Sequence, residues 1–429
     1  MRKRSVPSAA VATATVLALA LTACSSKAED DNTGGGGNAG NGDAGDGESL
    51  ATGPGVTDDT ISLGALTDMT GPYATLGVSI TQAQQLYVKE VNEEGGVCER
   101  DLELTTRDHG YDASQAISAY NELEPNVLAY TQFIGSPFVT AIKDQVDSTD
   151  HAVIVAQAWT ASLLGSEYIH MVGSTYDVET INAIDFLVDE KGLSEGDSIG
   201  HVYFEGDYGE NALEGARYAA EELGLTISEQ QIKPTDEDMT AQVGTLAREG
   251  VSAIIVSAGP RQAASVAGVA AAAGLNVPII GNNSAFAPQL LATDAAPALL
   301  NEFYIAAPTL PIGSEEEGPS TLAEAYLAEY PDATLDNGVV AGWNAARLVT
   351  DALRIACDNN DLTREGVAAA MQELNDYDNA FGIVHDFSDP ANPSSLESFI
   401  LTPDTDTPGG LVVEREAFVS ELAESFPRE

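Results

Sequence analysis

The sequence predicts an α/β protein of two doubly wound lobes joined by a hinge, and three observations carry that expectation. From Thr57 onward an apolar strand, a loop and an amphipathic helix alternate, the order that builds mostly parallel sheets. The pattern then restarts: each half opens with a strand, a Gly/Tyr loop, a helix and a further strand. Runs such as Ala253-Ile254-Ile255-Val256-Ser257 are apolar throughout, as strands covered on both faces must be. Ligand loops at matching places in two such lobes imply a cleft between them.

The N-terminus comes first. Arg2, Lys3 and Arg4 precede a short apolar run from Val11 to Leu21, which is too short for a comfortable membrane span. This reads as a signal peptide over 1–23. Leu21-Thr22-Ala23-Cys24 looks like a bacterial lipobox, with Cys24 the lipidated residue; the alternative is a plain secretory signal with an incidental cysteine. Residues 24–55 are rich in Gly, Asn, Asp and Ser without apolar periodicity and read as a disordered tether. The run Gly34 to Gly37 is no phosphate loop, because no strand precedes it and no Gly-Lys-Ser/Thr follows.

The first lobe is expected over 56–177. Asp59 to Ala65 alternates like a strand, Leu66 to Gly77 is a glycine-punctuated loop, and Val78 to Asn92 has helical spacing. The helix start offers free N–H groups and a positive dipole end, both suited to a carboxylate. Leu102 to Thr106 is a strand, Asp112 to Leu123 a helix and Asn126 to Tyr130 a buried strand. Gly135-Ser136-Pro137 opens a helix, with proline in its first turn. His151 to Gln157 is a strand with Ala158-Trp159-Thr160 as its exit loop.

The second lobe is expected over 178–307. It comprises a helix at Ile181–Val188, a strand at Ser198–Phe204, a loop at Glu205–Glu210 and a helix at Asn211–Leu223. Thr226–Ile232, Ala253–Ser257, Val277–Gly281 and Phe303–Ala306 are further strands; helices lie at Ala241–Arg248 and from Gly259-Pro260 to Gly274. Helices at Thr321–Glu329, Gly338–Ala356 and Thr363–Leu374 return the chain to the first lobe over 308–380. The C-terminal segment 381–429 is assigned mostly to the second lobe. Crossings near Tyr176, Pro308 and Ala380 would make a three-crossing hinge.

Charge and composition exclude several functions. Sixty-seven acidic residues against 18 basic give a net charge of −49, which disfavours nucleic acid and anionic membrane surfaces as partners. Among the five histidines (His109, His151, His170, His201, His385) no metal-ligand spacing occurs. No His-Glu-x-x-His, Cys-x-x-Cys or Gly-x-Ser-x-Gly motif appears either. The chain therefore reads as a non-enzyme without cofactor or metal. Cys98 and Cys357 remain after Cys24, and an even pair in an oxidising compartment reads as a disulfide, with buried free thiols as the alternative.

Four stretches together carry a family resemblance: Thr70-Gly71-Pro72-Tyr73-Ala74, Asn92-Glu93-Glu94-Gly95-Gly96-Val97, Gly135-Ser136 and Asp207-Tyr208-Gly209. With the repeat order and the late helix around Trp343, the chain resembles the branched-chain amino-acid class of extracellular solute-binding proteins of ABC transporters. The resemblance covers nearly all of Val56 to the C-terminus. It implies two Rossmann-like lobes in the type I periplasmic-binding-protein fold, with an amino acid held between them. By position, Ser136 and Ala158-Trp159-Thr160 would take the carboxylate and Tyr208 would close over the ligand. Tyr73, Leu76, Gly135, Asp207, Gly259 and Asn283 complete the implied ligand set. Trp159 and Tyr208 would wall off water.

Two positions depart from the family pattern. The acidic residue that usually meets the ligand ammonium should follow Ile279-Ile280-Gly281, where this chain has Asn282-Asn283-Ser284. An aromatic often stands where Gly259 does. Asp207 or Asp68 is then the substitute partner, or the ligand is an amide, a urea-like compound or an aromatic acid. The expectation is a lipid-anchored, monomeric receptor on the outer face of the membrane that delivers a small solute to transporter permeases. A sensor and an amide hydrolase are the rivals.

Overall fold

The computed structural model describes residues 50–428. The signal peptide, Cys24 and most of the proposed tether lie outside the described residues. The chain enters through β1 (Ala51–Thr52). An alternating run follows: β2 (Thr60–Thr67), α1 (Ala74–Glu93), β3 (Asp101–Asp108), α2 (Ala113–Leu123), β4 (Ala129–Phe133), α3 (Ser136–Gln145), β5 (Val153–Val155) and β6 (Ile169–His170). Their five strands form a wholly parallel sheet in the order β3-β2-β4-β5-β6.

The pattern recurs with α4 (Tyr176–Lys191), β7 (Ser198–Phe204), α5 (Asp207–Leu223), β8 (Thr226–Ile232), α6 (Thr240–Glu249), β9 (Ala253–Ser257), α7 (Pro260–Ala273), β10 (Ile279–Gly281), α8 (Ala296–Leu299) and β11 (Phe303–Ala307). After α9 (Glu317–Glu329) come α10 (Asn337–Asp358), β12 (Asp361–Leu362), α11 (Arg364–Gln372), β13 (Tyr377–Asp378) and β14 (Val384–His385). The chain ends in β15 (Ser398–Pro403), β16 (Leu411–Phe418) and α12 (Glu421–Ser425). The second sheet has seven strands in the order β16-β15-β11-β10-β9-β7-β8; β15 and β16 run antiparallel at one edge.

Strand order fixes where loops meet. In the first sheet β2 has β3 on one side and β4 on the other; in the second, β7 lies between β8 and β9. At such a reversal the helices leave on opposite faces and open a crevice at the carboxyl ends of the strands. The loops after β2 and β4 and those after β7 and β10 therefore face one another.

Local chemistry explains several helix starts. Asp112 accepts a hydrogen bond from the Gln115 N–H and caps α2. Asp336 does the same for α10 through the Gly338 N–H. Helix α4 begins at Tyr176, five residues before the apolar spacing predicts it. Its first turn carries Asp177 and Glu179, buried at the positive end of the helix dipole, and their polarity hides the helix from a periodicity count.

Three further differences are informative. The tether was expected to run to residue 55, but Ala51 and Gly53 donate their N–H groups to Asn360 and Leu362. Pairing of β1 with β12 thus places the start of ordered structure before Val56. The buried strand expected at Asn126–Tyr130 lies later, at β4, because Glu124–Asn126 forms a 3-10 turn started by Pro125. The third crossing was expected near Ala380. Phe387 still packs in the first-lobe core with Leu63 and Val349, and Leu396 is the residue that packs with Ile184 and Ile400 of the second.

Three strands of chain connect the lobes, and two are locked together at Ser394. Its hydroxyl donates to the Met171 carbonyl and accepts from the Gly173 N–H at 2.8 Å. Gly173 has φ of 113°, and a Cβ there would lie 2.3 Å from Pro308, so only glycine fits this crossing. Cys98 and Cys357 are joined as a disulfide with Cα atoms 6.0 Å apart. It links the turn after α1 to the last turn of α10.

Candidate functional site

A cavity lies between the lobes, partly open to solvent. The first lobe supplies Tyr73, Leu76 and Ile80 from the start of α1. It also supplies Tyr111, Ile134, Gly135 and Ser136, and Gln157 and Trp159 after β5. Tyr176, Tyr208, Asn283 and Ser284 close it from the second lobe, and Val172 and Ala307-Pro308-Thr309 line the hinge side. Asn337, Gly338, Ala341 and Asn344 of α10 form the remaining wall.

Each of these side chains is held by its element. Before α1, Asp68 folds back into its own loop: its carboxylate accepts from the Gly71 N–H at 2.5 Å and the Tyr73 N–H at 2.9 Å. That fixes Tyr73, whose ring meets Tyr111 with centroids 5.2 Å apart and Phe204 of the other lobe at 6.4 Å. Gly135 has φ of 109°, and a Cβ there would meet the Phe138 ring at 2.6 Å. The bare backbone leaves α3 close to the cavity. Trp159 is pinned by its indole N–H, which donates to the Val172 carbonyl at 2.9 Å. Tyr208 packs against Tyr176 at a tilt, ring centroids 4.2 Å apart, and accepts a hydrogen bond from Ser284.

The lobes are closed on one another. The Thr160 hydroxyl donates to the Asp207 carbonyl, and the Ala161 N–H donates to the Asn211 side chain at 3.2 Å. Asn211 also accepts from the Asp177 N–H and donates to the Asp177 carboxylate.

Of the residues expected from sequence, Tyr73, Leu76, Gly135, Ser136, Trp159, Tyr208 and Asn283 line the cavity. Ala158, Thr160, Asp207 and Gly259 do not. Ala158 is buried in the core, Thr160 and Asp207 meet each other across the lobe contact, and Gly259 caps α7 with Tyr73 3.7 Å from its Cβ direction. Asp68 and Asp207, the substitutes considered for an ammonium partner, are likewise outside the lining. The sequence reading missed Tyr111, Gln157, Tyr176 and Asn344. Tyr111 and Tyr176 carried a signal, an aromatic just after a strand or at a crossing. Asn344 had none, since it sits mid-helix among apolar residues.

Among the described residues, none that lines the cavity carries a charge. The four lining tyrosines are neutral, their hydroxyls pushed well above the ordinary phenol range by burial. Carboxylates stand one layer behind. Glu179 accepts from the Asn283 backbone N–H at 2.6 Å and from its side-chain amide at 2.8 Å; burial raises it to about 8 against the pull of those donors. Asp336 is raised by burial to about 7 while accepting from Ser79 and Gly338. His109, His170, His201 and His385 are buried and held below the ordinary imidazole range by desolvation. Among the described residues no group of side chains is arranged to hold a metal ion, and no helix is long and apolar enough to cross a membrane.

Comparison with known proteins places this geometry. Residues 60–395 match the periplasmic binding protein family. A fatty acid ABC transporter substrate-binding protein from Thermomonospora curvata is 50% identical, with a TM-score of 0.87, over 89% of this chain and 97% of that one. A branched chain amino acid ABC transporter protein from Thermus thermophilus with bound valine superposes with a TM-score of 0.76 at 20% identity, over 86% and 99% of the two chains. A leucine binding protein from Thermotoga maritima does so at 0.71 and 17%, over 84% and 99%. The last two share the fold. The family match over most of the chain and the 50% identity to a relative covered almost end to end show that the chain belongs to the periplasmic binding protein family and is an extracellular substrate-binding protein of an ABC transporter.

Proposed function

We propose that this chain captures a fatty acid, or a closely similar apolar monocarboxylic acid, between its lobes and delivers it to the transporter permease. The observation that carries this reading is the absence of any charged side chain from the cavity lining. An amino acid brings an ammonium group, and burying that charge without a carboxylate costs several kcal/mol. Asp68 and Glu179, the acids nearest in sequence or contact, are occupied by Gly71, Tyr73 and Asn283. Apolar walls from Leu76, Ile80, Ile134, Val172, Pro308 and Ala341 suit an alkyl chain instead. The relative from Thermomonospora curvata, described as a fatty acid transporter component, supports the same class.

In this reading the first lobe, in whose core Phe387 still packs, moves against the second, which the chain rejoins by Leu396. Tyr73, Leu76, Ser136, Trp159, Tyr208 and Asn283 contact the solute, and Cys24 carries the lipid that holds a monomeric receptor at the membrane. Binding favours the closed form through contacts made to both lobes at once.

The test is a thermal-shift and calorimetry panel of octanoate, decanoate and palmitate against valine, leucine, short amides and aromatic acids. A fatty acid at 100 times its dissociation constant raises stability by about 2.7 kcal/mol. A shift with valine or leucine and none with the alkyl acids would return the chain to the amino-acid class. Metabolic labelling with palmitate, lost in Cys24→Ser, tests the anchor.

A further inference from the structure

The cavity wall holds buried polar atoms that no protein group satisfies. Asn344, on α10, is 2% exposed, and neither its amide nitrogen nor its amide oxygen has a partner. Gln157 is 7% exposed with its side-chain oxygen unpaired. Its amide nitrogen reaches the Ala341 carbonyl at 3.5 Å, one helical turn from Asn344. The two amides thus share one wall of the cavity. Buried donors and acceptors are almost always paired, so a cluster like this one is shaped for something that binds there.

We infer that Asn344, with Gln157 beside it, is the polar anchor for the solute's head group, and that it takes a carboxylic acid in its neutral, protonated form. This rests on the apolar-acid reading above. A primary amide offers an N–H donor next to a carbonyl acceptor. A protonated carboxyl offers the complementary pair, its carbonyl accepting from Nδ2 and its O–H donating to Oδ1. A carboxylate has no proton to give and leaves Oδ1 facing a negative oxygen. The surroundings point the same way. No Lys, Arg or His lines the cavity, and the titratable groups on it are Tyr73, Tyr111, Tyr176 and Tyr208. Behind the wall stand Asp68, Glu179, Asp207 and Asp336 together with His109, whose imidazole is held below its usual range by burial. Four helix starts at the cavity carry an acidic residue, Asp68 before α1, Asp177 and Glu179 on α4, Asp207 on α5 and Asp336 on α10, whereas α3, which starts at Ser136, carries none. An anion in the cavity is opposed by the net charge of −49.

The experiment measures decanoic acid and decanamide binding to the full chain at about pH 5.5 and about pH 7.5. If only the neutral acid binds, its apparent affinity falls about tenfold per pH unit, roughly a hundredfold across the range. Decanamide, which does not titrate, holds within about twofold and so controls for titration of Glu179 and Asp336. Calorimetry in buffers of different ionisation enthalpy finds one proton taken up per acid bound at the higher pH. Asn344→Leu weakens both probes about tenfold or more, yet raises the Tm of the ligand-free chain by removing two unpaired polar atoms. Flat acid affinity without proton uptake overturns the proposal, as does wild-type affinity in Asn344→Leu; the apolar-acid reading survives both. Failure of both probes at both pH values overturns that reading and the anchor together. Should Asn344→Leu not fold, the wild-type pH profile and proton count decide alone.

Discussion

Two sets of buried polar groups lie close to the cleft, and they are built in opposite ways. Inside the second lobe, His201 Nε2 donates to Ser257 at 2.8 Å, Ser257 donates to Asn282 at 2.6 Å, and Asn282 donates to Thr180 at 3.3 Å. On the cavity wall, the Tyr73 hydroxyl, the Gln157 oxygen and both amide atoms of Asn344 have no protein partner. Both sets are buried. Burial alone therefore does not separate structure from function; whether the groups bond one another within the chain does, although His201 Nδ1 is left without a partner. The first set ties β7, β9 and the end of β10 to α4 and stiffens the lobe. The second keeps its capacity for a partner from outside, at a standing cost to the ligand-free fold.

That contrast is open to direct attack. The largest effect is expected from Ser257→Ala, which strips the partner from both His201 and Asn282. It should cost about 3 kcal/mol in denaturant unfolding while solute affinity of the folded fraction is unchanged. A cost below about 0.5 kcal/mol would show that the internal chain is not structural.

Next comes pH. Glu179 is raised by burial from the usual carboxylate range to about 8, so the folded chain holds a proton that the unfolded chain releases near pH 4.5. Stability is then full below about pH 4.5 and is lost as pH climbs toward 8. Asp336, raised to about 7, has the same sign. Glu179→Gln should flatten the decline by about 3 kcal/mol between pH 5 and 8. An unchanged slope in the variant assigns the decline to other groups.

A smaller effect is expected at Tyr208, whose hydroxyl is bonded to Ser284 within the lining. Tyr208→Phe should weaken decanoate binding by about 1 kcal/mol, roughly fivefold, measured by calorimetry. The smallest is at Tyr73. Because its hydroxyl has no partner, Tyr73→Phe should change ligand-free stability by less than about 0.5 kcal/mol. A larger loss would place Tyr73 with the internally satisfied groups and narrow the contrast to Gln157 and Asn344.

Legibility from sequence follows the same division. The strand–loop–helix repeat was readable because each element is amphipathic or wholly apolar on its own, as at Ala253–Ser257. Loop residues at the ends of strands, Tyr73, Ser136, Trp159 and Tyr208, were readable as cavity residues because doubly wound sheets put such loops at the crevice. Thr160 and Asp207 sit in the same loops, but closure turns them toward each other. Asn344 was hidden, since a polar residue on an amphipathic helix such as α10, which also carries Arg347, Asp351 and Arg354, looks like any solvent-facing position until the helix is docked.

The sequence by itself determined the alternation of elements, the two-lobed class and the lack of catalytic or metal-binding motifs, because each of these is written in local periodicity and residue type. Tertiary structure alone decided the chemistry of the cavity. Which buried polar groups find partners within the chain depends on contacts between residues far apart in sequence. Asn283 meets Glu179 and Ser79 meets Asp336 in this way, while Asn344 meets no protein partner.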